Sequence, residues 1–222
     1  MWRDAVLVAG KDLRIERRSR VTTTQVAPFA VLVLVLFAFA LDPDRGVLER
    51  ASAGLFWVAV LFSALLAIQR SFVLEGADGG RDALRLSALD PAGIFLGKAG
   101  AVAVQLAVLE LLLALGVALL YGRDFAGGPV LVLTCITATA GLAAAGTVYG
   151  ILAAGLRVRE TLLPLLILPV VAPVLLAATR AWEYGLEGSP SEAWPWVRLL
   201  AVFAVVYTAV GIAAFGTLLE ET

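Results

Sequence analysis

The chain has 222 residues, of which 61% are hydrophobic and 16% are charged, and its mean hydropathy is +0.94. Soluble globular domains carry about 45–50% apolar and about 25% charged residues, so the composition excludes an ordinary soluble domain and indicates a polytopic membrane protein. The net charge of −1 argues against a nucleic-acid partner, and the single cysteine, Cys135, excludes an internal disulfide and a cysteine-rich metal site.

The first twenty residues are predicted to form an amphipathic helix at the membrane interface. Trp2, Val6, Ala9 and Leu13 recur at the spacing of one helical face. The other side is basic and carries Arg3, Lys11, Arg14 and Arg18. A basic amphipathic helix with a tryptophan on its apolar face is typical of helices that lie in the interface. The simpler alternative is that the positive charge only sets the orientation. No A-x-A-like site follows, so we expect no cleaved signal peptide.

Six apolar stretches are long enough to cross a hydrocarbon core about 30 Å thick, which takes roughly 20 helical residues. They are residues 22–41, 51–68, 99–121, 130–155, 161–179 and 197–219. No internal repeat or second domain is evident. We therefore predict an all-α fold in which residues 1–222 form a single transmembrane domain of six helices.

Lysine and arginine are unequally distributed between the two sides of these spans, and the cytoplasmic side of a membrane protein carries the excess. With the N-terminus inside, twelve basic residues are cytoplasmic and five are outside, namely Arg45, Arg50, Arg123, Arg180 and Arg198. We therefore expect both termini and residues 75–98 in the cytoplasm. The outer loop 181–196 holds Trp182, Trp194 and Trp196, which are typical of an interfacial belt. A platform for a flat aromatic ligand is the alternative.

One ionisable residue, Glu110, lies near the middle of the third span. A charge at that depth costs roughly 2.5–3.5 kcal/mol on insertion scales, and such residues usually face a bundle interior or a water-filled path. The candidate hydrogen-bond partners are Gln105, Thr134, Thr137 and Thr139. Two interpretations of Glu110 are open. It makes a functional contact in a translocation path or partner interface, or its carboxyl group only joins helices.

Small residues in the fourth span indicate close helix packing. Gly146 and Gly150 form a G-x-x-x-G motif, and Gly141 precedes them by five residues. Small side chains at this spacing let helix backbones approach closely. Whether the packed neighbour belongs to this chain or to another one is open from the sequence.

The fifth span contains three prolines, Pro164, Pro169 and Pro173. Each removes a backbone donor and tends to kink the helix, and the carbonyl groups that lose their donors need other partners or a cavity. The span is therefore either a statically kinked helix or a deformable one beside a pathway.

The chain lacks the patterns of an enzyme active site. It contains no Walker A motif, no nucleophile elbow and no cluster of acidic metal ligands. It has no histidine, so this chain alone offers no imidazole ligand to haem or zinc. We expect a non-catalytic protein that binds no cofactor by itself.

Residues 75–98 are charged and rich in glycine, although an apolar stretch lies on either side. A short amphipathic pattern predicts a cytoplasmic helix from about Arg81 to Leu89, and Asp90-Pro91 ends it because the residue before a proline avoids helical geometry. Such a helix can enter a groove on another protein through a few apolar anchors, and a loop with an incidental helical turn is the alternative. The residues predicted to make that contact are Glu75, Asp78, Arg81, Asp82, Leu84, Arg85, Leu86 and Leu89.

This region resembles the haem exporter protein B (CcmB) family. The family shows an Arg-x-Phe after the second span, an acidic run with glycine, a leucine-rich short helix, a proline turn and a lysine that opens the third span. The matching positions here are Arg70 and Phe72, residues 75–80, residues 84–89, Pro91 and Lys98. The stretch LRVRETLLPLLILPVVAPVLLAAT and the N-terminal WRDAVLVAGKDLRIERRSR are also similar to the family, so the resemblance covers nearly the whole chain. The family often has Ser-Pro or Leu-Pro in place of Asp90-Pro91.

The resemblance implies a type-2 ABC permease that works with a separate, CcmA-like ATPase, for which the short inner helix would be the coupling helix. It further implies a CcmC-like haem-handling membrane protein, a small CcmD-like subunit and two permease copies per complex, in the bacterial cytoplasmic membrane. The expected role is haem delivery to a CcmE-like periplasmic chaperone, with haem as a candidate substrate of the complex. There are three alternatives: a type-2 exporter of lipid or drug, a proton-coupled transporter that uses Glu110, or a scaffold that transports nothing.

Overall fold

The computed structural model of the chain describes residues 1–20, 22–41, 45–77, 89–123, 125–154 and 159–221. These ranges contain no strand. Their helices are α1 (Trp2–Ser19), α2 (Ala27–Leu41), α3 (Arg45–Ala77), α4 (Pro91–Tyr121), α5 (Gly128–Ala154), α6 (Arg159–Leu186) and α7 (Pro190–Glu221), with a short π-helix (Thr22–Val26) before α2. The predicted all-α fold is confirmed.

Within the described ranges, six helices are long and apolar enough to cross a membrane. The candidate spans are Thr24–Leu41, Gly46–Phe72, Pro91–Tyr121, Gly128–Ala153, Leu162–Leu186 and Pro190–Glu220. They confirm the six predicted spans and extend most of them, and the third span begins at Pro91 where the sequence pattern predicted Ala99. The 31 residues of α4 measure about 46 Å at 1.5 Å per residue, so α4 exceeds a hydrocarbon core of about 30 Å.

The early start of α4 has a local cause at Asp90 and Pro91. The Asp90 side chain accepts a hydrogen bond from the backbone N–H of Ala92 at 3.1 Å and so caps the helix. Pro91 occupies the first helical position, where its missing N–H is not needed. The dipeptide that was predicted to end one helix therefore begins the next, and residues 91–98 of the predicted cytoplasmic segment belong to α4.

From α2 onward, the helices run alternately between two ends of the bundle. One end carries α1 and is called the α1 end below. The C-terminal end of α3 and the start of α4 both lie there, since Phe72 of α3 contacts Lys98 of α4. Ala77 and Leu89, the described residues that flank positions 78–88, therefore both lie at the α1 end.

The most buried span is α5, which packs against α3, α4, α6 and α7. Each glycine of its predicted packing motif faces a large side chain of the same chain: Gly141 faces Phe203, Gly146 faces Ile68 and Gly150 faces Phe72. A Cβ atom added at Gly141 would lie 2.9 Å from Cδ1 of Phe203. The sequence did not show which helices pack against these glycines. In the structure they are α3 and α7 of the same chain.

An aromatic cluster closes the opposite end of the bundle. The ring of Trp182 stacks on that of Phe56 with centroids 3.8 Å apart, and its indole N–H donates to the carbonyl oxygen of Leu131 at 3.3 Å. Trp182 is only 2% exposed, so its assignment to an exposed interfacial belt is wrong. Its neighbours in the cluster cover nearly all of its surface, which a belt residue would expose. Trp194 is 42% exposed, as a belt residue should be.

The three prolines of the fifth span lie within one continuous helix, α6. Pro169 and Pro173 are exposed, and Pro164 is half-buried. Two of the three therefore face the surroundings of the bundle and not its interior, which argues against their lining an internal pathway. The predicted kinks at these positions stay a prediction.

Candidate functional site

Most of the residues predicted to contact a partner lie outside the described residues. This holds for Asp78, Arg81, Asp82, Leu84, Arg85 and Leu86. Glu75 belongs to the last turns of α3, and Leu89, which precedes α4, packs partly buried against the core. The roles of these residues stay predictions. What the structure does describe is the pair of helix ends between which this segment is held.

The helix α1 packs directly on the first turns of α4. A Cβ atom added at Gly93 would lie 2.7 Å from the carbonyl oxygen of Met1, and one added at Gly97 would lie 2.7 Å from both Ala5 O and Val8 Cβ. Only glycine permits so close an approach. These two residues form a G-x-x-x-G motif that the sequence pattern did not single out, because the segment was assigned to a cytoplasmic loop.

Three different faces of α1 have three different environments. Ala5 and Val8 are buried against α4. The predicted apolar face lies beside them and is exposed at Trp2 and Val6, which are 72% and 71% accessible, whereas Ala9 and Leu13 are half-buried. The basic side is exposed as well. The helix is therefore amphipathic as predicted, but a third face, which the sequence pattern missed, attaches it to the bundle.

A buried charge pair joins α1 to α4. The ammonium group of Lys98 lies 3.5 Å from Oδ2 of Asp12 and 4.9 Å from the centroid of the Phe72 ring. Lys98 is 1% exposed and the Asp12 side chain 11%. Buried cations are retained only with compensating charge, and a ring face within about 6 Å adds a cation–π attraction. Asp12 and Phe72 together stabilise the positive charge at this position.

A second pair joins the same face of α1 to α3. Glu16 follows Asp12 by one helical turn, and its Oε2 lies 3.9 Å from Nε of Arg70. We call the set formed by Asp12, Glu16, Arg70, Phe72 and Lys98 the charged junction. It connects α1 to the helix that precedes residues 78–88 and to the helix that follows them.

Asp4 adds a further contact where α4 begins. Its Oδ2 accepts the backbone N–H of Asp90 at 3.3 Å and lies 3.2 Å from the Met1 ammonium group. The hydrogen bond from Asp90 and the bond to the ammonium group lower the pKa of the Asp4 carboxyl. The same Asp4 contact raises the pKa of the Met1 amine. Residue 90, at the end of the connecting segment, is thus tied to α1.

Within the spans, Glu110 meets one of the partners that the sequence suggested. The hydroxyl of Thr139 on α5 donates a hydrogen bond to Oε1 of Glu110 on α4, and Glu110 is 5% exposed. Thr134 and Thr137 donate to carbonyl oxygens of their own helix instead. Gln105 is half-buried and makes no described contact with Glu110. The carboxyl group therefore links α4 to α5.

Glu110 also borders a groove of about 890 Å³ between α4 and α5, which we call the lateral groove. Its walls are apolar except at Glu110, Thr139 and Cys135. The aromatic rings of Phe125 and Trp182 line one part of it. Leu111, on its rim, is 75% exposed. The lateral groove is a surface feature that opens sideways from the bundle, and it offers a single carboxyl group.

The sequence identified part of the charged junction. Arg70, Phe72 and Lys98 were noted only through the family resemblance, and Asp12 and Glu16 were not singled out. The sequence did contain a signal for these two acids. They stand one helical turn apart, among the basic residues of the second half of α1, and they continue the stripe of Ala5 and Val8.

Comparison with known proteins finds the same family along the whole chain. The family described as "CcmB protein" matches residues 3–221. A relative named "Heme exporter protein B" from Pseudomonas aeruginosa is 31% identical over 209 residues, 94% of each chain. Proteins of the same name from Paracoccus denitrificans and Haemophilus influenzae are 30% and 33% identical over 208 and 173 residues, which are 92% and 78% of each chain, respectively.

Proposed function

This chain belongs to the CcmB family of membrane permeases, and from that premise we propose that it is the permease subunit of an ABC transporter that works with a separate ATPase in cytochrome c maturation. The family is one of non-catalytic transport subunits, and the six apolar helices make the chain a multi-pass protein of the bacterial inner membrane. In the proposed complex, a CcmA-like subunit hydrolyses ATP. The complex then delivers haem to a periplasmic CcmE-like chaperone, with CcmC-like and CcmD-like subunits alongside and two permease copies per complex.

The observation that carries the proposal is the charged junction. A permease must convert movement of its ATPase into movement of its spans, and the residues predicted to meet that ATPase lie between Glu75 and Leu89. The chain enters this segment from α3 and leaves it into α4. Arg70 and Lys98, near those two helix ends, both pair with acids of α1. A displacement of the segment would therefore move α1, α3 and α4 together.

The distribution of charge supports a cytoplasmic position for the α1 end. Six basic residues lie within the first twenty of the chain, and the positive-inside rule places such a segment in the cytoplasm. Both termini and the connecting segment then face the ATPase. Phe56 and Trp182 at the opposite end then lie near the periplasmic side, where haem is handed to the chaperone.

The test is copurification with the ATPase in mild detergent. Reversing the charges at Arg81, Asp82 and Arg85 should abolish the association. Reversing Arg50 and Glu192, two exposed residues at the opposite end, serves as the matched control and should leave it intact. If no nucleotide-binding subunit copurifies with the native chain, or if both variants behave alike, the proposed function is wrong.

A proton-coupled secondary transporter is the second candidate, and Glu110 is the observation that favours it. This residue is buried, accepts a hydrogen bond from Thr139 and borders the lateral groove. A carboxyl group within a span is a common proton site. Transport in proteoliposomes that follows a pH gradient without ATP would establish this candidate, whereas strict dependence on ATP and the ATPase would exclude it.

A further inference from the structure

The acidic side chains and the arginines of α1 lie on different sides of the helix. The acids Asp4, Asp12 and Glu16 all face the bundle, and their side chains are 21%, 11% and 14% exposed. The basic residues Arg3, Lys11, Arg14, Arg17, Arg18 and Arg20 are all exposed. Lys11 pairs with Asp12, its ammonium group lying 3.1 Å from Oδ1, and the five arginines give the outward surface of α1 an excess of positive charge.

An apolar stripe adjoins this basic surface. Trp2 and Val6 are 72% and 71% exposed although both are large hydrophobic residues. Burying such side chains is favourable at about 25 cal/mol per Å² of apolar area removed from water, and tryptophan is enriched at the headgroup level of membranes. The outward surface of α1 thus combines two chemistries, one suited to anions and one to hydrocarbon.

The position of α1 places both chemistries at the depth of the membrane surface. Its first half packs on Gly93 and Gly97, in the first two turns of the α4 span, and Glu16 reaches Arg70 near the end of the α3 span. The chain then enters the first span at Thr24, only a few residues after Ser19. The helix α1 therefore crosses the ends of spans, where lipid headgroups lie.

We propose that the exposed face of α1 is a binding site for anionic phospholipid headgroups. The arginines meet the lipid phosphates, while Trp2 and Val6 enter the acyl region beside them. A free phosphate would satisfy only the arginines, and an acidic protein surface without an apolar patch would leave Trp2 and Val6 in water. An anionic lipid is the ligand that satisfies both stripes at once, as in other basic amphipathic helices.

The bound lipid has a consequence for the charged junction, and this second step rests on the proposed function. The acids that face inward from α1 pair with Lys98 and Arg70. Headgroups that hold the outer face of α1 at the membrane surface also hold Asp12 and Glu16 against those partners. Anionic lipid then increases the efficiency with which ATP hydrolysis is coupled to movement of α3 and α4.

Lipid binding is measured by native mass spectrometry of the full chain released from nanodiscs that contain equal amounts of phosphatidylglycerol and phosphatidylcholine. We expect the native chain to retain phosphatidylglycerol preferentially. The Arg14→Gln/Arg18→Gln variant should lose that preference by on the order of ten-fold, given the contribution of each basic residue near an anionic surface. Arg50→Gln/Arg198→Gln, which changes two exposed arginines at the opposite end, should retain it.

Several outcomes would overturn the proposal. One is equal lipid selectivity in the native chain and the Arg14→Gln/Arg18→Gln variant while both keep the same thermal stability. A second is full displacement of phosphatidylglycerol by millimolar inorganic phosphate, which would make the site one for the free anion. A third is its displacement by the partner ATPase, which would make the surface a protein contact.

The coupling step has its own measurement. ATP hydrolysis by the reconstituted complex should rise when phosphatidylglycerol replaces part of the phosphatidylcholine, and the Arg14→Gln/Arg18→Gln complex should not respond. An equal response of both complexes would refute the coupling step. If no ATPase associates at all, the proposed function fails, but the lipid-binding measurement on the chain alone still decides whether the site on α1 exists.

Discussion

Lys98 Nζ lies 3.5 Å from Asp12 Oδ2, and the lysine is 1% exposed. The two residues are 86 positions apart in sequence, on an N-terminal surface helix and on the first turns of a membrane span. Breaking a buried pair by removing one partner usually costs far more than the pair contributes in net stability. This pair therefore makes the position of α1 sensitive to single changes.

The Asp12→Asn substitution should destabilise the docking of α1 by about 3–5 kcal/mol, because it leaves the Lys98 charge buried without the Asp12 carboxylate. The double substitution Asp12→Leu/Lys98→Met should recover most of the loss, since it removes both charges. Thermal unfolding of the purified chain in detergent measures both effects. A double variant as unstable as the single one would show that the charge pair does not hold α1.

The close approach of α1 to α4 is tested by adding one methyl group. Gly97→Ala should weaken the contact by about 1–3 kcal/mol, the usual cost of overpacking, because its Cβ would lie 2.7 Å from Val8 Cβ and Ala5 O. Gly100→Ala is the control, since nothing lies within 4 Å of its Cβ, and it should be neutral or stabilising. The distance between spin labels on α1 and α4 is the measurement. Equal behaviour of the two variants would contradict the observed packing.

If the chain is an ATP-driven permease, Glu110→Gln should retain activity, because the amide oxygen still accepts the hydrogen bond from Thr139. Glu110→Leu should lower the free energy of unfolding by about 0.6 kcal/mol, the average measured for hydrogen bonds between membrane helices, and by at most about 1.7 kcal/mol, the largest such value. ATP-dependent haem delivery and thermal unfolding are measured together, with Thr139→Val as the matched partner variant. Loss of delivery in Glu110→Gln at unchanged stability would instead support a proton site.

The contact between Asp4 and Asp90 should weaken in acid. The pKa of Asp4 is lowered in the folded chain, below the ordinary value of 3.8. The stabilisation that Asp4 provides is therefore fully present above pH 3.8 and is lost as the pH falls through the folded pKa. The distance between labels on α1 and near residue 90, followed from pH 6 to pH 2.5, measures this loss. Asp4→Asn should remove the pH dependence, and an unchanged pH response in that variant would assign it to another group.

The composition and the length of its apolar runs determined much of this protein before any contact was known. Six spans, the amphipathic character of residues 1–20 and the packing glycines of α5 follow from local pattern, because a membrane requires about 20 apolar helical residues regardless of what they pack against. The resemblance to the CcmB family came from motifs around Arg70, Phe72 and Lys98 and was confirmed along nearly the whole chain.

Only the tertiary structure decided which residues meet. The sequence pattern gave α1 two faces, and the fold revealed a third, because Ala5, Val8, Asp12 and Glu16 become a face only when Gly93 and Gly97 bring α4 against them. The fold also buries Trp182, and it places Thr139 within hydrogen-bonding distance of Glu110. Helical periodicity reports which residues share a side of one helix, whereas the partner of each side depends on contacts between residues distant in sequence.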